Sequence, residues 1–186
     1  MLQHAFELHR VEIVTLLLER PGCNVGAVNL SQLYLNEDPF NFLRSDVALQ
    51  SRLQRRLADG TISGAPSYAT YKEVIGPFLR DVSPLLSSAI EASESASHVD
   101  LFFWAVFMGN VPLAREIWAH VENPLHCALL ASHAFQTMAQ KIPWGQSEVL
   151  GYAIELESWA VGVMDLVDEQ ARPRPTTTTP EPQPHP

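Results

Sequence analysis

The sequence has little cysteine, little positive charge and no long apolar run, and each shortage excludes a class of protein. Its two cysteines, Cys23 and Cys127, lie far apart in 186 residues, so neither a disulfide framework nor a zinc knuckle is indicated and a reducing compartment is expected. Twelve Lys and Arg against 21 Asp and Glu give a net charge of −9, which argues against nucleic acid as a partner because phosphates need a basic surface. The longest apolar run, residues 101–108, is far shorter than the ~20 residues of a membrane-spanning helix. We therefore expect a soluble, cytoplasmic chain with no direct membrane span.

The composition changes abruptly after residue 170. Six of the 14 prolines lie in residues 173–186, next to a run of four threonines. Because proline fixes φ and removes backbone donors, residues 171–186 are predicted to form a disordered tail. A ligand for a proline-binding groove is the alternative, although residues 175–180 contain no tight PxxP core. The organisation predicted is a folded body over residues 1–170 and a tail over 171–186.

The body has apolar residues at helical spacing in successive segments that Pro, Gly and capping residues separate. No run alternates apolar and polar residues between hairpin turns, so no sheet is indicated. The Ser-rich interval 91–99 is a possible internal linker. The predicted fold class is therefore all-α. The predicted helices cover residues 2–20, 30–38, 46–57, 70–79, 84–90, 100–108, 111–121, 124–142 and 147–170.

Short joints between these helices favour antiparallel helix pairs. Stacked pairs, each with a face that it cannot bury alone, are typical of an ankyrin-like or HEAT-like helical solenoid. Residues 9–19, followed by a turn that contains Gly22, resemble the second helix of an ankyrin repeat. The Thr-Pro-Leu-His signature and the 33-residue period of ankyrin repeats are absent, so the predicted repeat is degenerate.

Few residues point to catalysis or metal binding. His120, His126 and Cys127 lie near a helix junction, but a metal site needs three or four convergent ligands at a recognised spacing, and capping or flanking two helices explains them more simply. Nucleophile elbows, Gly-rich phosphate loops and HExxH motifs are absent from the sequence. We therefore assign no catalytic residue, no cofactor and no metal, and do not expect an enzyme.

Charge is unevenly distributed along the body. Arg52, Arg55 and Arg56 share one face of a predicted helix, so they form either a solvated face or a contact for an anionic ligand or lipid headgroup. Residues 142–171 carry six carboxylates and no Lys or Arg. That segment should repel acidic surfaces and could meet a basic one.

Large aromatic side chains are concentrated in the second half of the body. Phe103, Trp104, Trp118 and Trp159 are the candidate packing residues, because each large aromatic buries roughly 150 to 250 Å² between helices. The other interpretation is an exposed patch on which a partner docks.

Residues 100–139 carry a specific order of motifs. Trp104-Ala-Val is followed by Leu113-Ala-x-x-x-Trp and then by Ala128-Leu-x-Ala-Ser, in a helix that ends in Met138-Ala. This order and spacing resemble the cytosolic melastatin homology region of the melastatin-type transient receptor potential (TRPM) cation channels. The resemblance extends more loosely over residues 1–170. It includes a degenerate ankyrin-like pair near residues 5–34, an Ile-Gly helix over 71–79 and an acidic helix over 156–170.

The resemblance implies a fragment of the intracellular N-terminal region of a calcium-permeable channel. In that family the region packs against other subunits or domains of the tetrameric channel and couples cytosolic signals to the pore, on the cytosolic side of the membrane. The chain itself contains no pore segment. The alternative is a stand-alone soluble ankyrin-like adaptor that binds a protein partner.

Overall fold

The computed structural model describes residues 1–36, 95–141 and 145–171, together with Lys72, Gly76, Pro77 and Arg80. Throughout these residues the regular structure is helical, which confirms the predicted all-α class. Residues 172–186 of the predicted tail and the predicted helix with Arg52, Arg55 and Arg56 lie outside them, whereas Ala171, assigned to the tail, is the last residue of a helix. The α-helices are α1 (Leu2–Glu7), α2 (Val11–Leu18), α3 (Leu30–Asn36), α4 (His98–Phe107), α5 (Val111–Trp118), α6 (Pro124–Lys141) and α7 (Gln146–Ala171), with a 3₁₀ turn at Val25–Ala27.

The prediction of a single helix over residues 2–20 is wrong. Helix α1 ends at Glu7 and α2 begins at Val11, with His9 between them in the left-handed region at φ 50°. This turn redirects the chain, so residues that would share one stripe of a continuous helix no longer face the same side. Ile13 and Leu16, which a continuous helix over residues 2–20 would place on one apolar stripe with Ala5 and Phe6, are 46% and 63% exposed.

The turn between α1 and α2 recurs 100 residues later, between α4 and α5. The amide of residue 10 donates to the carbonyl of residue 5 at 3.1 Å, and that of residue 110 to the carbonyl of residue 105 at 3.0 Å. Gly109 has φ 70°, matching the left-handed His9. Both second helices contain eight residues. We therefore call α1–α2 the first unit and α4–α5 the second unit, because they share one helix–turn–helix conformation.

Caps and proline set the helix starts. The Asn29 side chain accepts from the amide of Gln32 at 3.1 Å and so caps the start of α3. Gly109 and Asn110 form the joint between α4 and α5, and the Asn110 side chain caps α5. Helix α4 begins two residues before its predicted start, because Ser97 forms a capping box with Asp100. Residues 98 and 99, assigned to the possible linker, form its first turn.

Helix α4 lies at the centre of the described packing. It contacts α3, α5 and α6, while α2 packs on α5 and α6 packs along α7. Every residue of α4 from Asp100 to Phe107 is buried. A helix that is apolar on all sides is stable only when other elements surround it. The position of α4 explains why residues 101–108 form the longest apolar run of the sequence.

Candidate interaction surface

The first unit is fastened to the second by polar contacts. On α2, the Thr15 hydroxyl donates to a carboxylate oxygen of Glu116 on α5 at 2.9 Å. At the two turns, Nδ1 of His9 and Nδ2 of Asn110 lie 2.7 Å apart. The second helix of the first unit thus contacts the second helix of the second unit, and the turn of the first unit contacts the turn of the second.

An aromatic cluster lies beneath these contacts. Trp104 is fully buried, with Phe6 edge-on at 5.7 Å and the His9 ring stacked at 6.3 Å between centroids. Phe103 is equally buried and contacts Phe107 at 6.0 Å. The Trp104 indole nitrogen has no hydrogen-bond partner among the described residues. Trp104 and Phe103 are therefore placed as packing residues.

The second unit meets α7 through another pair of indoles. Trp118, half-buried, lies 5.4 Å from the buried Trp159 between ring centroids. The Arg115 guanidinium lies 5.7 Å from the centroid of the Trp159 ring, within cation–π range. The Trp118 indole N–H donates to the Pro124 carbonyl at 2.6 Å, which ties the end of α5 to the start of α6. These candidate residues thus lie at a junction between helices.

A cleft beside this junction is lined by the second unit, Phe135 and one side of α7. It encloses about 10 Å³, which is room for about one water molecule. Small-molecule sites usually occupy hundreds of cubic ångströms. Burial raises the pKa of the Tyr152 hydroxyl at the wall of the cleft, and the negative charges of Glu148 and Glu155 raise it further. The cleft is too small to hold an organic ligand.

The histidines and Cys127 do not form a metal site in this structure. The rings of His98 and His120 stack with their centroids 6.0 Å apart. Burial lowers the pKa of His98, the nearby His120 lowers it further, and the Glu122 carboxylate raises it. His126 is exposed, whereas Cys127 is buried and its thiol has its pKa raised to about 11 by burial. Across residues 1–36, 95–141 and 145–171, no three His, Cys, Asp or Glu side chains converge as metal ligands.

The described residues include two exposed apolar faces whose positions the sequence did not indicate. The back face consists of Ile13 and Leu16 on α2. The front face consists of four side chains of α7, which are Leu150 (43% exposed), Ile154 (67%), Val161 (48%) and Met164 (49%). Leu166, which is not part of this face, is also 60% exposed. The sequence feature that could have indicated the front face is a second series of apolar residues at helical spacing on α7. It runs beside the series that is buried against α6.

Carboxylates accompany the front face. Glu157 accepts hydrogen bonds from Ser132 at 3.0 Å and from Gln136 at 2.6 Å, so α6 holds its side chain in place. Asp165 is exposed. The acidic character that the sequence indicates for residues 142–171 therefore lies beside exposed apolar surface on α7.

Comparison with known proteins gives no family assignment. No family model matches the chain, and no curated protein matches it. Within the part of the chain that the structure describes, no helix is both long enough and apolar enough to cross a bilayer.

Proposed function

We propose that residues 1–170 form a helical-repeat interaction module of the kind found in the cytosolic melastatin homology region of TRPM channels. The observation that carries this proposal is the repeated helix–turn–helix conformation, with α2 of the first unit packed on α5 of the second. Helix pairs that stack through their second helices are the building principle of a solenoid. The proposed solenoid extends through α6 and α7, and the proposed disordered tail covers residues 172–186.

The motifs that carry the resemblance coincide with particular contacts. Trp104 is the centre of the aromatic cluster, and Trp118 connects α5 to α6 and α7. A module held together in this way transmits a displacement from one helix pair to the next. We assign it the role of packing against other subunits or domains of a tetrameric cation channel and coupling cytosolic signals to the pore. The proposal includes neither catalysis nor a bound cofactor.

The experiment is to sequence the transcript across both ends of the reading frame. We expect the coding sequence to continue into several apolar segments of ~20 residues, the signature of a membrane domain. A complete transcript that lacks such segments would remove the channel role. The stand-alone adaptor would then be the function, and the exposed front face on α7 favours it as a site for a protein partner.

A further inference from the structure

Two histidines contact each other where the start of α4 meets the joint between α5 and α6. His98 is the first residue of α4, and His120 lies in the joint, which consists of residues 119–123. Their rings stack at an interplanar angle of 23°, with the centroids 6.0 Å apart. Both side chains are half-buried. These two residues, called the histidine pair below, therefore connect segments that belong to different helices.

A second positive charge on the histidine pair is unfavourable for two geometric reasons. Two imidazolium rings at this separation repel each other, because a nearby like charge disfavours ionisation. His98 also occupies the first position of a helix, where the aligned peptide dipoles place partial positive charge. The pKa of His98 is lowered by burial first and by His120 second, which is the same direction. The stacked contact is therefore weakened when both rings become charged.

Among the described residues, the Glu122 carboxylate in the joint opposes this effect, since it raises the pKa of His98. Asp100 lies two residues after His98 on the same helix, so the two side chains do not face each other, and its carboxylate accepts from the Ser97 amide. Helix α3, which packs on α4, has no charged side chain. The charged side chains of α5 and the histidines of α6 are either engaged elsewhere or exposed, and they are Arg115, Glu116, His126 and His133.

The joint is closed by a hydrogen bond that involves Trp118. Its indole N–H donates to the Pro124 carbonyl across the joint at 2.6 Å, and its ring lies 5.4 Å from that of Trp159 on α7. The His120 amide donates to the Ile117 carbonyl at 2.9 Å, so His120 is fixed to the end of α5. A displacement of His120 therefore reaches Trp118 and, through Trp118, the contact with α7.

We propose that the histidine pair is a proton-sensitive switch: when both rings are protonated, the joint separates from the start of α4 and Trp118 loosens from Trp159. The closed contact belongs to neutral pH and the open one to mildly acidic pH, because histidine changes its charge between these conditions. The switch goes beyond the proposed function and does not depend on it, because the same contacts are present whether the chain is a channel region or an adaptor.

Fluorine NMR of the full chain labelled with fluorotryptophan, recorded between about pH 8 and about pH 5, tests the proposal. The chain has four tryptophans, and Trp118→Phe identifies the Trp118 resonance. We expect this resonance to shift on acidification while far-ultraviolet circular dichroism stays constant, because the joint moves and the helices persist. In His98→Gln the shift should disappear, although His120 still titrates. A Trp118 resonance that does not shift in the unmodified chain, or that shifts equally in His98→Gln, overturns the proposal.

Glu122→Gln tests the direction of the switch and keeps the proposal falsifiable if His98→Gln does not fold, because Glu122 is exposed. Glu122 favours a charged His98 only while the joint lies against α4, so its removal should move the midpoint of the Trp118 shift to higher pH. His126→Gln, which replaces an exposed histidine in the first turn of α6, is the matched control and should leave the midpoint unchanged. An unchanged or lower midpoint in Glu122→Gln, or a lost shift in His126→Gln, contradicts the switch. None of these results bears on the transcript.

Discussion

Trp104 occupies the point where the first unit meets α4. It is fully buried and contacts Phe6 and His9. We expect Trp104→Ala to lower the free energy of unfolding by roughly 3 to 5 kcal/mol, since it removes a large buried side chain and leaves a cavity. Urea denaturation measures the change.

Trp104→Phe is the matched variant, because the indole N–H has no partner among the described residues and its loss removes no hydrogen bond. It should lose less than half as much stability as the alanine variant. A loss below about 1 kcal/mol in the alanine variant would show that the side chain is not buried in solution.

His98 makes stability depend on pH. Burial, together with His120, lowers its pKa in the folded chain below the unfolded value. The unfolded state therefore binds more protons, and stability should fall as the pH drops below about 6.5. Above that pH the contribution of His98 is fully present.

Melting midpoints between neutral and mildly acidic pH, compared with those of His98→Gln, measure this effect. The variant should lose less stability on acidification than the unmodified chain, because it removes one group whose pKa is lower in the folded state than in the unfolded state. Parallel pH profiles would show that His98 has the same pKa in both states. His9→Gln is unsuitable as a control because His9 stacks on Trp104.

Ser97 fixes the start of α4, the helix around which the others pack. Its hydroxyl accepts from the Asp100 amide at 3.3 Å and the Ser97 amide donates to the Asp100 carboxylate at 2.9 Å. We expect Ser97→Ala to lower the free energy of unfolding by about 1 kcal/mol. Urea denaturation provides the measurement.

Ser158→Ala is the control for the Ser97 variant. The Ser158 hydroxyl is exposed and donates to the Glu155 carbonyl within the same helix, so its removal should change stability by less than about 0.5 kcal/mol. Equal effects of the two substitutions would mean that the capping box of α4 contributes nothing beyond an ordinary surface hydroxyl.

Helix starts could be predicted because their causes are local. The side chains of Asn29 and Asn110 accept from amides within one turn, and Pro124 has its φ preset for the first helical position, so the sequence itself contains the information. The break at His9 could not be predicted, since glycine is the usual residue in the left-handed region and most histidines, although enriched there relative to other side chains, adopt negative φ. The all-α class was predictable from periodicity, whereas the order of stacking was not.

The exposed faces could not be predicted for a different reason. The apolar spacing of Ile13 and Leu16 is the same whether the helix faces a core or solvent. Burial depends on which unit lies beside the helix, and that neighbour is remote in the sequence. On α7, Ile154 belongs to a second series of apolar residues at helical spacing. Spacing alone therefore does not show which of the two series is buried.

The predicted tail gives a test of how far the folded body extends. Removal of residues 172–186, which lie outside the described part of the chain, should leave the melting midpoint almost unchanged. A segment that packs nothing contributes little to stability. Differential scanning calorimetry of the full and shortened chains measures the midpoint, and a marked drop would contradict the prediction of a disordered tail.

The hydrogen bond from Thr15 to Glu116 joins residues 101 positions apart. Closing a loop of that length costs about 4 kcal/mol of chain entropy before any contact compensates for it. The contacts of α6 with α7 involve much shorter loops and face a smaller barrier. On grounds of contact order we therefore expect α6 and α7 to associate before the first unit docks on α5. During synthesis the first unit leaves the ribosome first, yet it must wait for α5 before it can dock.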